Sequence, residues 1–209
     1  MSTEEMTVTV VDDDAAVLKG VSRLLKSAGL KVATFETPDA FLEAYNPSQA
    51  GCLVLDLAMP GLSGLSLQQL LHEKGDAPPI VFLSGAGDIP NSVQAMKHGA
   101  VDFLTKPVDE TALLGAIHAA LAKERATRRG RIELLEIKTR LNRLTPRERE
   151  VLEHVVSGQL NKQIAWDLGT VEKTIKAHRA KVMEKMGAES LAELVRMAQK
   201  VGIGGGSNP

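Results

Sequence analysis

Five times in the first 122 residues a short run of strand-forming residues gives way to a segment with helical spacing, and no other feature restricts the fold as strongly. Thr7 to Val11 is the first run, followed by Ala15 to Ala28 with Val17, Leu18, Val21, Leu24 and Leu25 on one face and Gly29 as the stop. The pattern repeats as Lys31 to Phe35 then Pro38 to Tyr45, and as Cys52 to Asp56 then Leu65 to His72. Ile80 to Leu83, ending at Ser84, precedes Ile89 to His98; Asp102 to Thr105 precedes a helix that starts after Pro107, near Asp109. Parallel strands need a crossover, and helices supply it while covering both faces of the sheet. The expectation is an α/β, doubly wound, five-stranded parallel sheet in the order 2-1-3-4-5.

The ends of the strands carry the chemistry. Cys52 to Leu55 is too short for a helix and suits a strand buried on both faces, and Pro60-Gly61 forces a turn soon after it. Asp56 therefore stands at the carboxyl end of a central strand, the edge at which open parallel sheets bind ligands. Strand one ends in Asp12-Asp13-Asp14, strand four in Ser84, and strand five in Lys106-Pro107. With strands one and three adjacent, Asp12, Asp13 and Asp56 converge, while Asp14 is expected to cap the first helix. Carboxylates gathered in one crevice repel unless a cation joins them, and an oxygen-only site fits Mg²⁺. A carboxylate beside Mg²⁺ can attack a phosphoryl group, with Lys106 supplying positive charge and Ser84 a hydroxyl. Taken singly, Ser84 also reads as a helix cap and Lys106 as a solvated loop lysine.

Net charge divides the chain. Residues 1–122 carry 7 Lys and Arg against 15 Asp and Glu, whereas residues 123–209 carry 18 against 11. An acidic half suits a metal cation and a basic half an anionic polymer such as DNA. The single cysteine, Cys52, lies in the apolar strand and reads as a core residue in a reducing compartment. The polar, acidic start Met1 to Glu5 does not read as a signal peptide, and no apolar stretch approaches about 18 residues. A cytoplasmic location without membrane contact is expected.

The set Val10-Val11-Asp12-Asp13-Asp14, Asp56 through Gly61, Ser84-Gly85 and Lys106-Pro107 resembles the receiver domain of two-component response regulators, a flavodoxin-like fold, over residues 5–122. The resemblance implies that Asp56 is the phosphoacceptor charged by a sensor histidine kinase. It also implies Mg²⁺ held by Asp13, Asp56 and the backbone carbonyl of Ala58, with Asp12 acting through water. Ser84 and Phe103 match the switch pair that reorients on phosphorylation, and the Lys106-Pro107 bond is expected to be cis. Ala58 departs from the family's usual longer polar side chain, which leaves the lifetime of the phosphoryl group open.

Residues 123–143 read as a helical linker. Leu134, Ile137, Leu141 and Leu144 are spaced 3, 4 and 3, which suits either a short coiled coil or a helix packed on its own domains. Gly130 is placed as a break or hinge. Beyond it, Thr145 reads as an N-cap, Pro146 as the first helical residue and Glu148 as the capping-box acid. Val151, Leu152, Val155 and Val156 give that helix an apolar face, ended by Gly158. Asn161 to Leu168 follows as a short helix, Gly169 as a turn and Val171 to Met186 as a long basic helix, its expected buried face Val171, Ile175, Val182 and Met186. A helix, a glycine turn and a basic helix form a helix-turn-helix.

Leu144 through Leu152, Gly158, Asn161 through Ala165, Leu168 and Lys173 through Arg179 resemble the LuxR-type DNA-binding domain over about residues 142–201, and the domain itself is expected at 144–201. Both halves together resemble response regulators of the NarL/FixJ class. The resemblance places Thr174, Lys176 and Ala177 in the major groove of double-stranded DNA, Lys162 and Lys181 on phosphates, and Lys173, His178 and Arg179 along the same surface. It implies a transcription factor that dimerises when phosphorylated and works with RNA polymerase, whose only covalent chemistry is gain and loss of phosphate at Asp56. A small Mg²⁺-dependent phosphohydrolase is the rival. Where the family often has Ser at the start of the recognition helix this chain has Val171, and Thr170 is expected to cap instead. Leu194, Val195 and Ala198 of a last helix, Leu191 to Val201, are expected to be free to pair with a second copy, and residues 202–209 to form a flexible tail.

Overall fold

The computed structural model describes residues 6–75, 77–85 and 89–204. Two compact units divide at Arg128 and Arg129. The first contains β1 (Thr7–Val11), α1 (Ala15–Ser27), β2 (Lys31–Phe35), α2 (Pro38–Ala44), β3 (Gly51–Asp56), α3 (Gly64–Glu73), β4 (Ile80–Ser84), α4 (Ile89–Lys97), β5 (Asp102–Thr105) and the first part of α5 (Glu110–Leu141). All five strands are parallel, in the order β2-β1-β3-β4-β5.

The two-residue period of the strands sorts the core into two layers. On one face Val8, Val10, Cys52, Val54, Val81 and Leu83 pack with Leu18, Val21 and Leu25 of α1 and Leu113 and Ile117 of α5. On the other, Val11, Leu53, Leu55, Ile80 and Phe82 pack with Phe41 of α2 and Leu67 and Leu71 of α3. Every residue of β3 is buried, as expected of a central strand covered on both sides. Burial pushes the Cys52 thiol up to about 12, with Glu124 adding to the shift, so this cysteine is inert packing. Gly64 has a steric reason: a Cβ there would lie 2.3 Å from the carbonyl oxygen of Asp56. Its absence lets α3 begin directly against the end of β3.

The second unit holds the rest of α5, then α6 (Pro146–Val156), α7 (Asn161–Asp167), α8 (Glu172–Met186) and α9 (Leu191–Lys200). Its core gathers Val151, Leu152, Val155, Ile164, Ile175, Val182, Met186 and Leu194. Helix α6 opens on the expected capping box: Glu148 N–H donates to Thr145 Oγ1 at 3.3 Å and Thr145 N–H to Glu148 Oε2 at 2.8 Å.

Several expectations for this half need correction. Gly130 does not break the helix, because α5 is continuous from Glu110 to Leu141, sustained by the strong helix formers around it. Of the two readings of the leucine pattern, Ile137 and Leu141 pack into the core of their own unit. Val171 is 65% exposed and is the N-cap of α8 without a side-chain hydrogen bond, so it is not part of the buried face and Thr170 does not cap. Leu194 and Ala198 are fully buried in their own unit and so not free to pair, since α9 packs on α6 with that stripe inward. Of the tail expected at 202–209, Ile203 packs against the core, and residues 205–209 lie outside the described residues, as do 1–5.

Candidate functional site

Parallel register brings the acids together. Val11 pairs with Leu55, so Asp12 and Asp56 are the next residues on adjacent strands. Asp12 is wholly buried and Asp56 nearly so, whereas Asp13 is exposed. Each of the three offers a carboxylate oxygen, and these oxygens lie within 4.8 Å of one another. Asp14 caps α1, accepting from the amides of Ala16 and Val17, while its own N–H donates to Asp12 Oδ1 at 3.0 Å. One residue thus starts the helix and fixes the neighbouring acid.

Lys106 enters from the end of β5. Its N–H donates to the Ser84 carbonyl at 2.6 Å, and the Lys106-Pro107 bond is cis, as expected. The ammonium bridges Asp12 Oδ2 at 2.6 Å and Asp56 Oδ1 at 2.8 Å. Burial opposes the Lys106 charge, but its bonds to Asp12 and Asp56 and their negative charge outweigh that and hold its pKa above the ordinary lysine value. Burial pushes the Asp12 carboxyl above its ordinary value, against the pull of Lys106 and the Asp14 amide. Asp56 Oδ2 accepts from the Ala58 N–H at 3.1 Å. Three carboxylates against one ammonium leave a negative pocket of hard oxygen donors, open on the Asp13 side; this donor set suits a divalent cation that keeps part of its water shell.

Ser84 is the buried last residue of β4, and its hydroxyl donates to the Gly85 carbonyl at 3.2 Å. Phe103 is half-buried on β5, its ring centroid 6.3 Å from that of Phe82. Both stand on the strands that deliver the pocket, the Ser84 hydroxyl turned to Gly85 and the Phe103 ring to Phe82.

In the second unit, α7 and α8 are joined at Gly169, whose φ of +60° is a left-handed conformation suited to glycine. The eight residues expected to meet DNA divide. Lys162, Lys173, Lys176, Ala177 and Lys181 are exposed; Thr174, His178 and Arg179 are half-buried. Arg179 is committed within the fold, donating to Asn161 Oδ1 at 2.8 Å, and His178 Nδ1 is buried without a hydrogen-bond partner among the described residues. Lys176 lies 3.7 Å from Glu172 one turn earlier, a solvated pair that leaves the ammonium available. Sequence reasoning passed over Trp166, which is 87% exposed, and the pairing of the buried Glu148 with Lys185 at 2.6 Å. The first was detectable, since Trp166 falls opposite the Ile164–Ala165–Leu168 stripe.

A switch-point acid pocket on a 2-1-3-4-5 sheet, followed by a helix-turn-helix with a basic outer face, defines a two-domain signalling protein with a nucleic-acid output. The chain belongs to the response regulators: residues 8–118 match the response regulator receiver domain, and residues 142–198 match the bacterial regulatory proteins of the luxR family. It is 45% identical to the response regulator protein TodT of Pseudomonas putida, over 96% of this chain and 88% of that one. It is 44% identical to the transcriptional regulatory protein FixJ of Azorhizobium caulinodans, over 96% and 95% of the two chains. Among solved structures, the response regulator StyR matches with a TM-score of 0.85 at 46% identity, covering 94% of this chain and 99% of its own. Full-length FixJ from B. japonicum matches at 0.58 and 40%, covering 96% and 98%. The assignment to the NarL/FixJ class follows, and with it the role of transcription-regulating response regulator. No helix among the described residues is long and apolar enough to cross a membrane.

Proposed function

We propose that Asp56 is the residue that accepts a phosphoryl group from a sensor histidine kinase, and that its modification controls DNA binding by the second unit. The observation that carries this reading is the Lys106 ammonium seated between Asp12 and Asp56 at 2.6 and 2.8 Å. An Asp56 carboxylate oxygen attacks phosphorus, a P–O bond forms, and the bond from phosphorus to the donor nitrogen or acyl oxygen breaks, the electron pair leaving with the donor. Lys106 is placed to hold charge on the transferring oxygens, and the Ala58 N–H fixes the other Asp56 oxygen. Asp12, Asp13, Asp56 and the Ala58 carbonyl are the proposed holders of Mg²⁺, which neutralises charge on the phosphoryl oxygens when bound.

Ser84 then turns from Gly85 toward the new charge, and Phe103 moves into the space this opens. The surface of α4, β5 and α5 changes with it and pairs with a second copy. Pairing sets two α8 helices on successive turns of DNA, where Thr174, Lys176 and Ala177 meet bases, Lys162 and Lys181 meet phosphates, and Lys173, His178 and Arg179 support that surface. RNA polymerase is the downstream partner, residues 123–143 connect the two functions, and the protein works in the cytoplasm. Incubation with radiolabelled acyl phosphate and Mg²⁺ tests the chemistry. Label should be retained by the wild type as one acid-stable, alkali-labile adduct mapping to Asp56 and be absent from Asp56→Asn; equal labelling of both, or continuous turnover of a phosphate ester, would refute it.

A further inference from the structure

The most exposed large apolar side chain among the described residues is Trp166, on α7. It brings the fold no burial, and an indole left in water is a large apolar surface without return. Contacts made by its neighbours fix the flank of α7 from which it projects. Ile164 and Ala165 are buried, Asp167 lies 3.9 Å from His154 of α6, and Asn161 accepts the hydrogen bond from Arg179 of α8. At about 100° per residue, Trp166 is then opposite the buried stripe and one turn beyond Lys162, on the solvent side between the edges that meet α6 and α8. Lys162 is also exposed, and no ion pair to it occurs among the described residues.

We propose that Trp166 and Lys162 form a contact with the DNA sugar-phosphate backbone that flanks the recognition helix. In a helix-turn-helix the first helix crosses the backbone while the second enters the groove, and α7 is that first helix. Indole Nε1–H is a donor with no acceptor capacity, so it matches a phosphate oxygen, while the ring covers the apolar face of deoxyribose. The adjacent ammonium of Lys162 favours an anionic polymer over an apolar protein groove as the occupant. This inference rests on the DNA-binding reading above and adds to it a residue that positions the protein without reading sequence.

Trp166 is the chain's only tryptophan, so emission of the full-length protein reports on this site directly. The probes are sheared genomic duplex DNA at low salt and duplexes that the protein enriches from it. Saturating DNA should quench or shift the emission. Trp166→Ala should weaken binding to both probes by about tenfold with the salt dependence unchanged, because no charge is lost. Trp166→Phe, which keeps a ring and lacks the donor, should fall between. Lys162→Ala should instead lower the slope of log affinity against log salt by about one. An emission unmoved at saturating DNA, or Trp166→Ala binding as tightly as wild type, overturns the proposal; a shift seen only on adding RNA polymerase does so in favour of a protein contact. Absence of any DNA binding overturns the output reading itself, an outcome distinct from a DNA complex with a silent tryptophan.

Discussion

The acid pocket and the basic face of α8 solve opposite problems. In the pocket, Asp12 and Asp56 are buried, and Lys106 and the backbone amides of Asp14 and Ala58 hold their oxygens before any ligand arrives. On α8, Lys173, Lys176 and Lys181 stand in solvent, and Lys176 pairs loosely with Glu172 at 3.7 Å. A covalent step needs charge preorganised in a dry site, so its residues are few and bound to one another. DNA is met by charge that must be free to leave water and counterions for phosphate, so that surface stays open and its contributions are spread.

Removing the central cation should break this contrast most strongly. Lys106→Met leaves Asp12 and Asp56 facing each other, and urea denaturation should show the first unit destabilised by roughly 3 kcal/mol, with Mg²⁺ restoring part of the loss. An unchanged midpoint would mean that the pocket carries no strain from its acids. On the open surface, Lys176→Glu should reduce affinity for selected DNA on the order of a hundredfold while Asp56 labelling continues at the wild-type rate. Loss of both activities would show that the two sites are not separable.

Glu148 sharpens the comparison, because it is a preorganised acid without a catalytic role. Its hydrogen bond from Lys185, then that from the Thr145 amide, hold its carboxyl below the ordinary value of 4.5 despite burial. A depressed folded value means that the unfolded chain binds the proton first. Its stabilisation is therefore complete above pH 4.5 and is lost as pH falls from there through the lower folded value. Glu148→Gln should cost the second unit about 1 kcal/mol at neutral pH and lessen the fall in its thermal stability below pH 4.5. The smallest effect is expected at Gly130, where nothing lies within 4 Å of an added Cβ: Gly130→Ala should raise the stability of α5 by about 0.7 kcal/mol in urea, and a decrease would show that this position is not held as regular helix.

The pocket was largely legible in the sequence because a parallel sheet turns strand ends into neighbours. β1, β2 and β5 have the bounds expected, β3 starts one residue earlier at Gly51, and Asp12 and Asp56 follow from the order alone. Periodicity served less well in the helical half. It identifies an apolar stripe but not what the stripe touches, so it cannot tell that Leu194 and Ala198 are buried and Val171 exposed. Glu148 was readable as a cap from its local spacing, while Lys185, 37 residues on, could not be assigned to it without the packing of α6 on α8.

Coupling between the two regions is the central claim, and DNA affinity measured with and without acyl phosphate tests it most directly. Wild-type protein should bind selected duplex more tightly once phosphorylated, and Asp56→Asn should keep the unphosphorylated affinity under both conditions. An Asp56→Asn protein that gains affinity with acyl phosphate, or one that already binds as tightly as phosphorylated wild type, would contradict it.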